Sequence, residues 1–322
     1  MFKQLLVPVD GSPLSEEGLT HAADIARAVR ATIAIVLVHQ PRESALLPVP
    51  GINQLQWEDE ERYLERTRDE VARGAAVRVT SAHLRGDVAS AIVGHARDRG
   101  TDLIVLTSHG RTGVRREWLG SVADALVRHA GCPVLMFRAT RAGAARIAGR
   151  PLFRHIAITL DGSKGSEGAI APALALAQMM HASISLLRVV PTVPLLTSTT
   201  VSDIPYNFPP FIQDLEATEK LAEEVRGEMR SLADHYATAE VPVTSHVIVS
   251  DTVPSSIISF CQANAVDCVV MASHGRGATR WLLGSVVDKV LRGSRLPLMI
   301  AHQAVVNEGA APHSAREMAN AG

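Results

Sequence analysis

Short apolar runs alternate with amphipathic stretches along nearly the whole chain. Residues 4–9 form a Val- and Leu-rich run that predicts a buried strand. Ser12 then fits an N-cap, with Pro13 at the first helical position and Glu16 and Glu17 in the first turn. Leu19, Ala22, Ala23, Ala26 and Val29 follow at helical spacing and give that helix one apolar face. The pattern goes on to predict a strand over 32–38, a polar helix over 57–73, a strand over 76–83, a helix over 88–99 and a strand over 102–107. A helix from Ser121 to Ala130, closed by Gly131 at C′, leads into a last strand, Pro133–Phe137. The second half predicts strands near 154–160, 183–190, 242–249, 267–272 and 297–301. Such alternation gives a parallel sheet covered by helices on both faces. One position resists it: Pro172 falls inside the first helix of the second half, so that helix should start late or bend.

The two halves are one pattern written twice. LLVPVDGS at 5–12 matches IAITLDGS at 156–163, which sets Asp10 and Asp161 151 residues apart. ATIAIVLV at 31–38 matches ASISLLRV at 182–189 at the same offset. Thr107-Ser108-His109-Gly110-Arg111 matches Ala272-Ser273-His274-Gly275-Arg276 at an offset of 165, and Gly120-Ser121-Val122 matches Gly284-Ser285-Val286 at 164. The offset grows between the second and third blocks, most simply through the Pro-rich stretch 191–210. The division is therefore a first domain over 1–140, a linker over 141–152, a second domain over 153–303 and a tail from 304 expected to be frayed.

Composition narrows the class. The 322 residues carry 32 Lys plus Arg against 33 Asp plus Glu, which excludes a broadly basic nucleic-acid binder and an acidic tail protein. Hydrophobic residues at 47% exclude general disorder, and aromatics at 4% require an aliphatic core. Cys132, Cys261 and Cys268 contain no CxxC pair, so free thiols in a reducing cytoplasm are expected rather than a disulfide framework or a zinc site. The N-terminal apolar run is too short for a signal peptide and ends in Asp10; no apolar run approaches the roughly 18 residues that span a bilayer. A soluble cytoplasmic protein is the expectation.

Open parallel sheets bind ligands at the carboxyl ends of their strands. Three segments of each half converge there. Asp10-Gly11-Ser12 follows strand one, Thr107-Ser108-His109-Gly110 follows strand four, and Gly120-Ser121 opens the next helix. A helix N-terminus offers unpaired N–H groups and partial positive charge, and glycines let phosphate oxygens approach the backbone. Arg111, Arg115 and Arg116 add cations, so together the parts would make a phosphate cradle. Each part also has a plainer reading. Asp10-Gly11-Ser12 serves equally as a turn with a capping serine. Ser121-x-x-Asp124 and Ser285-x-x-Asp288 resemble capping boxes with Asp for Glu. His109 and His274 would serve as hydrogen-bonded structural residues, and the arginines as a solvated loop. Recurrence of all the parts, in order, in both halves favours the ligand site. A P-loop, a complete GxGxxG after a strand, HExxH and GxSxG are all missing from the sequence.

At these residues the chain resembles the universal stress protein family in its tandem form, over roughly residues 2–140 and 152–303. The VDGS strand end, the SHGR segment, the GSV that follows, and the closing blocks SVADALVRHAGCPVLMF and SVVDKVLRGSRLPLMI carry the resemblance. It implies two tandem open five-stranded sheets of parallel type, flanked by helices, in a Rossmann-like, adenine-nucleotide α-hydrolase-like fold. The ATP-binding branch resembles G-x-x-G, nine residues, then Gly and Ser or Thr. The first half has Thr107 at the first position, then Gly110, nine intervening residues, Gly120 and Ser121. The second has Ala272, Gly275, only eight intervening residues, Gly284 and Ser285. The resemblance implies that Asp10 and Asp161 sit by the nucleoside or a phosphate-bound metal ion, that the backbone of Val38 or Val189 contacts adenine, and that the glycines and serines take the phosphates. Pro8, Thr107, His109, Arg111 and Val122, with Ala272, His274, Arg276 and Val286, complete the candidate sets. ATP, with or without Mg, is the implied ligand, and the first half is the better site. The last strands of the two domains would pair within the chain as a pseudo-dimer, with a homodimer of whole chains left open and no nucleic-acid or membrane partner. Three readings stay open: a nucleotide-binding stress-response or signalling module; a weak ATPase or nucleotidyl-transfer enzyme using His109 and Asp10; and a scaffold whose sites have decayed.

Overall fold

The structure is a computed structural model that describes residues 2–41, 52–108, 120–138, 152–194, 214–273 and 283–302. The first half comprises β1 (Gln4–Val9), α1 (Pro13–Val29), β2 (Thr32–His39), α2 (Ile52–Ala75), β3 (Val79–Arg85), α3 (Val88–Asp98), β4 (Leu103–Ser108), α4 (Ser121–His129) and β5 (Val134–Arg138). The second comprises β6 (His155–Thr159), α5 (Lys164–Glu167), α6 (Ile170–Met180), β7 (Ser183–Val190), α7 (Leu215–Tyr236), β8 (Val243–Val249), α8 (Val253–Ala263), β9 (Cys268–Ala272), α9 (Ser285–Gly293) and β10 (Leu298–Ala301).

The strands form one ten-stranded sheet in the order β3-β2-β1-β4-β5-β10-β9-β6-β7-β8. Each half is parallel, and the halves join through the antiparallel pair β5–β10, with Leu298 opposite Met136 and Ile300 opposite Val134. The two five-stranded sheets are thus one continuous sheet. The edge strands β3 and β8 are its most polar, carrying Thr80, Ser81 and His83 in one and Thr244, Ser245 and His246 in the other.

Two aliphatic cores cover the faces. One packs α1, α6 and α7 over residues such as Leu5, Ile33, Leu103 and Ile156. The other packs α3, α4, α8 and α9 over Leu6, Ile104, Val134 and Ile300. Both cores run across the β5–β10 joint, because the alternate side chains of these strands point to opposite faces. The three cysteines are free and buried; burial pushes the thiols of Cys132 and Cys261 up to about 12 and about 11.

The element pattern departs from the sequence reading at a few places. α2 begins at Ile52 rather than 57, and β3 begins at Val79 rather than 76, because Ala76 turns left-handed (φ 53°) after the helix. Pro172 sits three residues into α6, and the segment before it is the separate single turn α5. Proline offers no N–H to the Gly168 carbonyl, so the helix restarts rather than continuing. α4 ends in extended Ala130 (φ −62°, ψ 135°), so Gly131 is not a left-handed cap. The Pro-rich stretch is described only over 191–194.

Candidate functional site

The strand order reverses direction at β1 and β4, and again at β6 and β9, so a crevice is expected at their carboxyl ends. Pro8 helps to open it. Alternation along β1 turns Gln4, Leu6 and Pro8 toward β4, as the bond from Asp102 N–H to the Gln4 carbonyl shows at 3.0 Å. The β1–β4 ladder ends at Leu6–Ile104, just before the residue that has no N–H to give. In the second half Thr159 stands at that position and the β6–β9 ladder runs one pair further, to Ile158–Val270.

Asp10-Gly11-Ser12 and Asp161-Gly162-Ser163 turn off these strand ends in the same way. Gly11 and Gly162 both lie at φ +79°, where a side chain is strained. Ser12 Oγ accepts from Ser15 N–H at 3.2 Å, and Ser163 Oγ from Ser166 N–H at 3.1 Å, so both serines cap their helices. The turn reading of this motif is therefore realised. It also holds the aspartates: Ser12 N–H donates to Asp10 Oδ1 at 3.0 Å, and Ser163 N–H to Asp161 Oδ1 at 2.9 Å. Burial disfavours the Asp10 carboxylate, but the hydrogen bonds from Ser12 and Ser15 outweigh it and hold its carboxyl below the usual range. Asp10 is exposed and ionised at neutral pH.

Beside this turn lies the backbone of Val38. Thr32 N–H donates to Lys3 O at 2.9 Å, so Thr32, Ala34, Val36 and Val38 face β1. The β1–β2 ladder stops at Val9–Leu37, and Val38 reaches past it with its carbonyl directed to the space beside Asp10. Val189 holds the same place at the end of β6, since the carbonyl of Leu187 already accepts from Leu160 N–H at 2.9 Å.

Thr107 and Ala272 lie in β4 and β9, where extended backbone accepts any residue, so the missing glycines cost the fold nothing. The buried Thr107 Oγ1 has no hydrogen-bond partner among the described residues and lies 3.4 Å from where a Cβ on Gly18 would sit. His109, Gly110, Arg111, Arg115 and Arg116, with His274, Gly275 and Arg276, lie outside the described residues.

The capping-box reading of Ser121 and Ser285 is corrected. Gly120 and Gly284 are the N-caps, the serines are the first helical residues, and neither helix start has a side-chain cap. Asp124 and Asp288 instead pair with Arg128 and Arg292 one turn on, at 2.8 Å each. Conformation does not demand glycine at 120: its φ is −62°, and an added Cβ would meet nothing within 4 Å among the described residues. Val122 and Val286 pack their side chains on the core, which leaves their backbone N–H groups at the helix starts. An exposed hydroxyl and N–H groups with no side-chain cap among the described residues suit a phosphate.

The halves differ in two ways that the sequence reading missed. Gly284 N–H donates to the Ser273 carbonyl at 3.2 Å, whereas Gly120 makes no such bond to Ser108. Arg188 replaces the buried Leu37, pairs with Glu228 at 2.9 Å, and lays its guanidinium where a Cβ on Gly162 would be. The one charged residue inside the run ASISLLRV was the available signal.

Comparison with known proteins decides the family. The universal stress protein family profile matches twice, over residues 1–138 and 152–302. The chain belongs to the universal stress protein family. It is similar to a universal stress protein of Mycobacterium tuberculosis strain H37Rv, 32% identical over 204 residues, or 63% of this chain and 62% of that relative. A second one from the same strain is 25% identical over 312 residues, spanning 94% of this chain and 97% of the relative. In fold the chain is similar to a universal stress protein crystal structure from Archaeoglobus fulgidus, with a TM-score of 0.65 at 17% identity, covering 93% of this chain and 98% of that one. Tandem universal stress protein domains on an α/β sheet are thereby established. Among the described residues no helix is long and apolar enough to cross a membrane.

Proposed function

We propose that this universal stress protein binds ATP at the β1–β4 mouth of its first half, and that occupancy alters its conformation or partner binding in a stress response. The observation that carries this reading is the helix start at Gly120-Ser121, without a side-chain cap among the described residues, on the same sheet edge as the ionised Asp10 and the outreaching Val38 carbonyl. The carbonyl would accept from the adenine amine, Asp10 from ribose hydroxyls or a phosphate-bound Mg, and the N–H groups at 120–122 would meet the phosphates. The second half is the weaker site. Its loop is one residue shorter, its Gly284 N–H is already engaged, and Arg188 crosses the Asp161 turn.

Mass spectrometry of freshly purified, denatured protein should release adenine nucleotide, and calorimetry should give about one site per chain. Gly120→Val should lose ATP affinity by roughly 100-fold or more, the loss of two hydrogen bonds to charged oxygens, at a modest stability cost at the N-cap that a melting curve of the variant measures. A folded wild type that carries no nucleotide and takes up no ATP at millimolar concentration sinks the reading.

A further inference from the structure

On the α2 side of the first half, away from the helix starts, three side chains from three elements converge. His39 ends β2, His83 stands on the neighbouring β3, and Glu60 reaches down from α2. Glu60 Oε2 lies 2.6 Å from His39 Nδ1 and 2.9 Å from His83 Nε2. The side chains of His39, His83 and Glu60 are only 8%, 7% and 19% exposed. We propose that His39, Glu60 and His83 form a binding site for one divalent transition-metal ion, zinc by preference.

Hydrogen bonding alone leaves this cluster unsatisfied. Both imidazoles sit on one oxygen of Glu60, while the buried Nδ1 of His83 has no partner among the described residues. Buried polar atoms without partners are uncommon and call for an explanation. Two neutral imidazoles and one carboxylate are the donor set that zinc takes in open, three-ligand sites, and they leave one negative charge to meet the dication. Donor atoms of the three residues lie within 4.8 Å of one another. A tetrahedral zinc with bonds of about 2.0–2.1 Å needs them roughly 3.3 Å apart, so the carboxylate would draw back slightly and the widest pair would close by up to about 1.5 Å, shared between two side chains.

The surroundings are built to hold these ligands. Gln56 Nε2 donates to the other oxygen of Glu60 at 2.8 Å and to the Gln40 carbonyl at 2.9 Å, which orients the carboxylate from the second layer. Trp57 stacks on His83 with centroids 3.6 Å apart, and Arg85 covers the indole at 4.2 Å. Among the described residues His39 also lines a groove of about 470 Å³ with Gln40, Trp57 and Arg85. The repeat shows that the fold does not need these histidines. By offset and strand register, His39 and His83 correspond to Val190 and Val247 in the second half.

The test uses the full-length, untagged protein, stripped by a chelator and titrated with Co²⁺. Wild type should take up one equivalent with the strong visible bands of a low-coordinate site, and Zn²⁺ should bleach them. His39→Val and His83→Val, which copy the second half, should each lower affinity by more than about 100-fold; Gln56→Ala should lower it roughly 10- to 100-fold while keeping one equivalent. Metal-free melting curves establish which variants fold; if one valine variant does not, the other and Gln56→Ala decide. Zinc in excess should raise the melting temperature of wild type and not of the valine variants. A folded wild type without these cobalt bands, or folded valine variants that bind cobalt as wild type does, overturns the proposal and leaves a hydrogen-bonded network only.

Discussion

Asp10 shows how one residue serves a turn and a ligand site together. Its Oδ1 is engaged by Ser12 N–H, and the geometry that closes the turn also keeps the carboxyl ionised. The sign of the pH effect follows. A folded-state value below the unfolded one, near 3.9, stabilises the fold above that value, and the contribution disappears as pH falls through the folded value. Asp10→Asn should therefore be less stable than wild type at pH 6–7, and the difference should shrink as pH falls below about 3.9 and vanish once pH is below the folded value. Urea denaturation across that range checks it; a difference that persists in acid contradicts the assignment. Asp10 was legible in the sequence because the motif recurs 151 residues later as Asp161. Arg188 was less so, because its contact with Gly162 depends on how β7 lies against the turn after β6.

At the scale of elements, the helix starts separate capping from binding. Ser12 caps α1, whereas Ser121 has no capping bond and stands one position inside α4. Ser12→Ala should cost about 0.5–2 kcal/mol of stability. Ser121→Ala should change stability by less than about 0.5 kcal/mol while weakening ATP binding. Paired denaturation and calorimetry on the two variants test this; a large stability loss for Ser121→Ala restores the cap reading. The pattern S-x-x-D misled because a serine at the cap and a serine one position later give the same spacing to Asp124. Only the backbone shows that Gly120 takes the cap. The strands were far more legible, since runs such as 4–9, 32–38 and 102–107 are buried on both faces and leave little choice of element. The edge strand β3 was placed least well because its polar, half-exposed residues blur its start. The His39–Glu60–His83 cluster was invisible along the chain, because three elements and a strand register bring it together.

At the scale of the molecule, the joint between the halves carries a near-symmetric pair of basic side chains. Arg138, at the end of β5, donates to the Leu291 carbonyl near the end of α9. His302, just past β10, lies 164 residues on from Arg138, and its Nε2 is 2.7 Å from the Val127 carbonyl near the end of α4. Leu291 and Val127 are themselves 164 residues apart, so each half reaches into the helix terminus of the other in the same way. Helix C-termini favour such donors, because their last carbonyls are unpaired and carry partial negative charge. His302 Nδ1 also lies 3.0 Å from the Cys132 carbonyl, and since both partners are acceptors, both bonds form only when each ring nitrogen carries a proton. His302→Ala strips both contacts from a partly buried joint and should cost about 1–3 kcal/mol. His302→Arg repeats the chemistry of Arg138 and should recover most of that loss. Because the cores on both sheet faces cross β5–β10, wild type should unfold in one transition with coincident probes in the two halves. In His302→Ala that single midpoint should move to lower denaturant as a whole. Two separated transitions in wild type would show that the shared sheet does not couple the halves, and a midpoint unmoved by His302→Ala would show that the histidine does not clamp them.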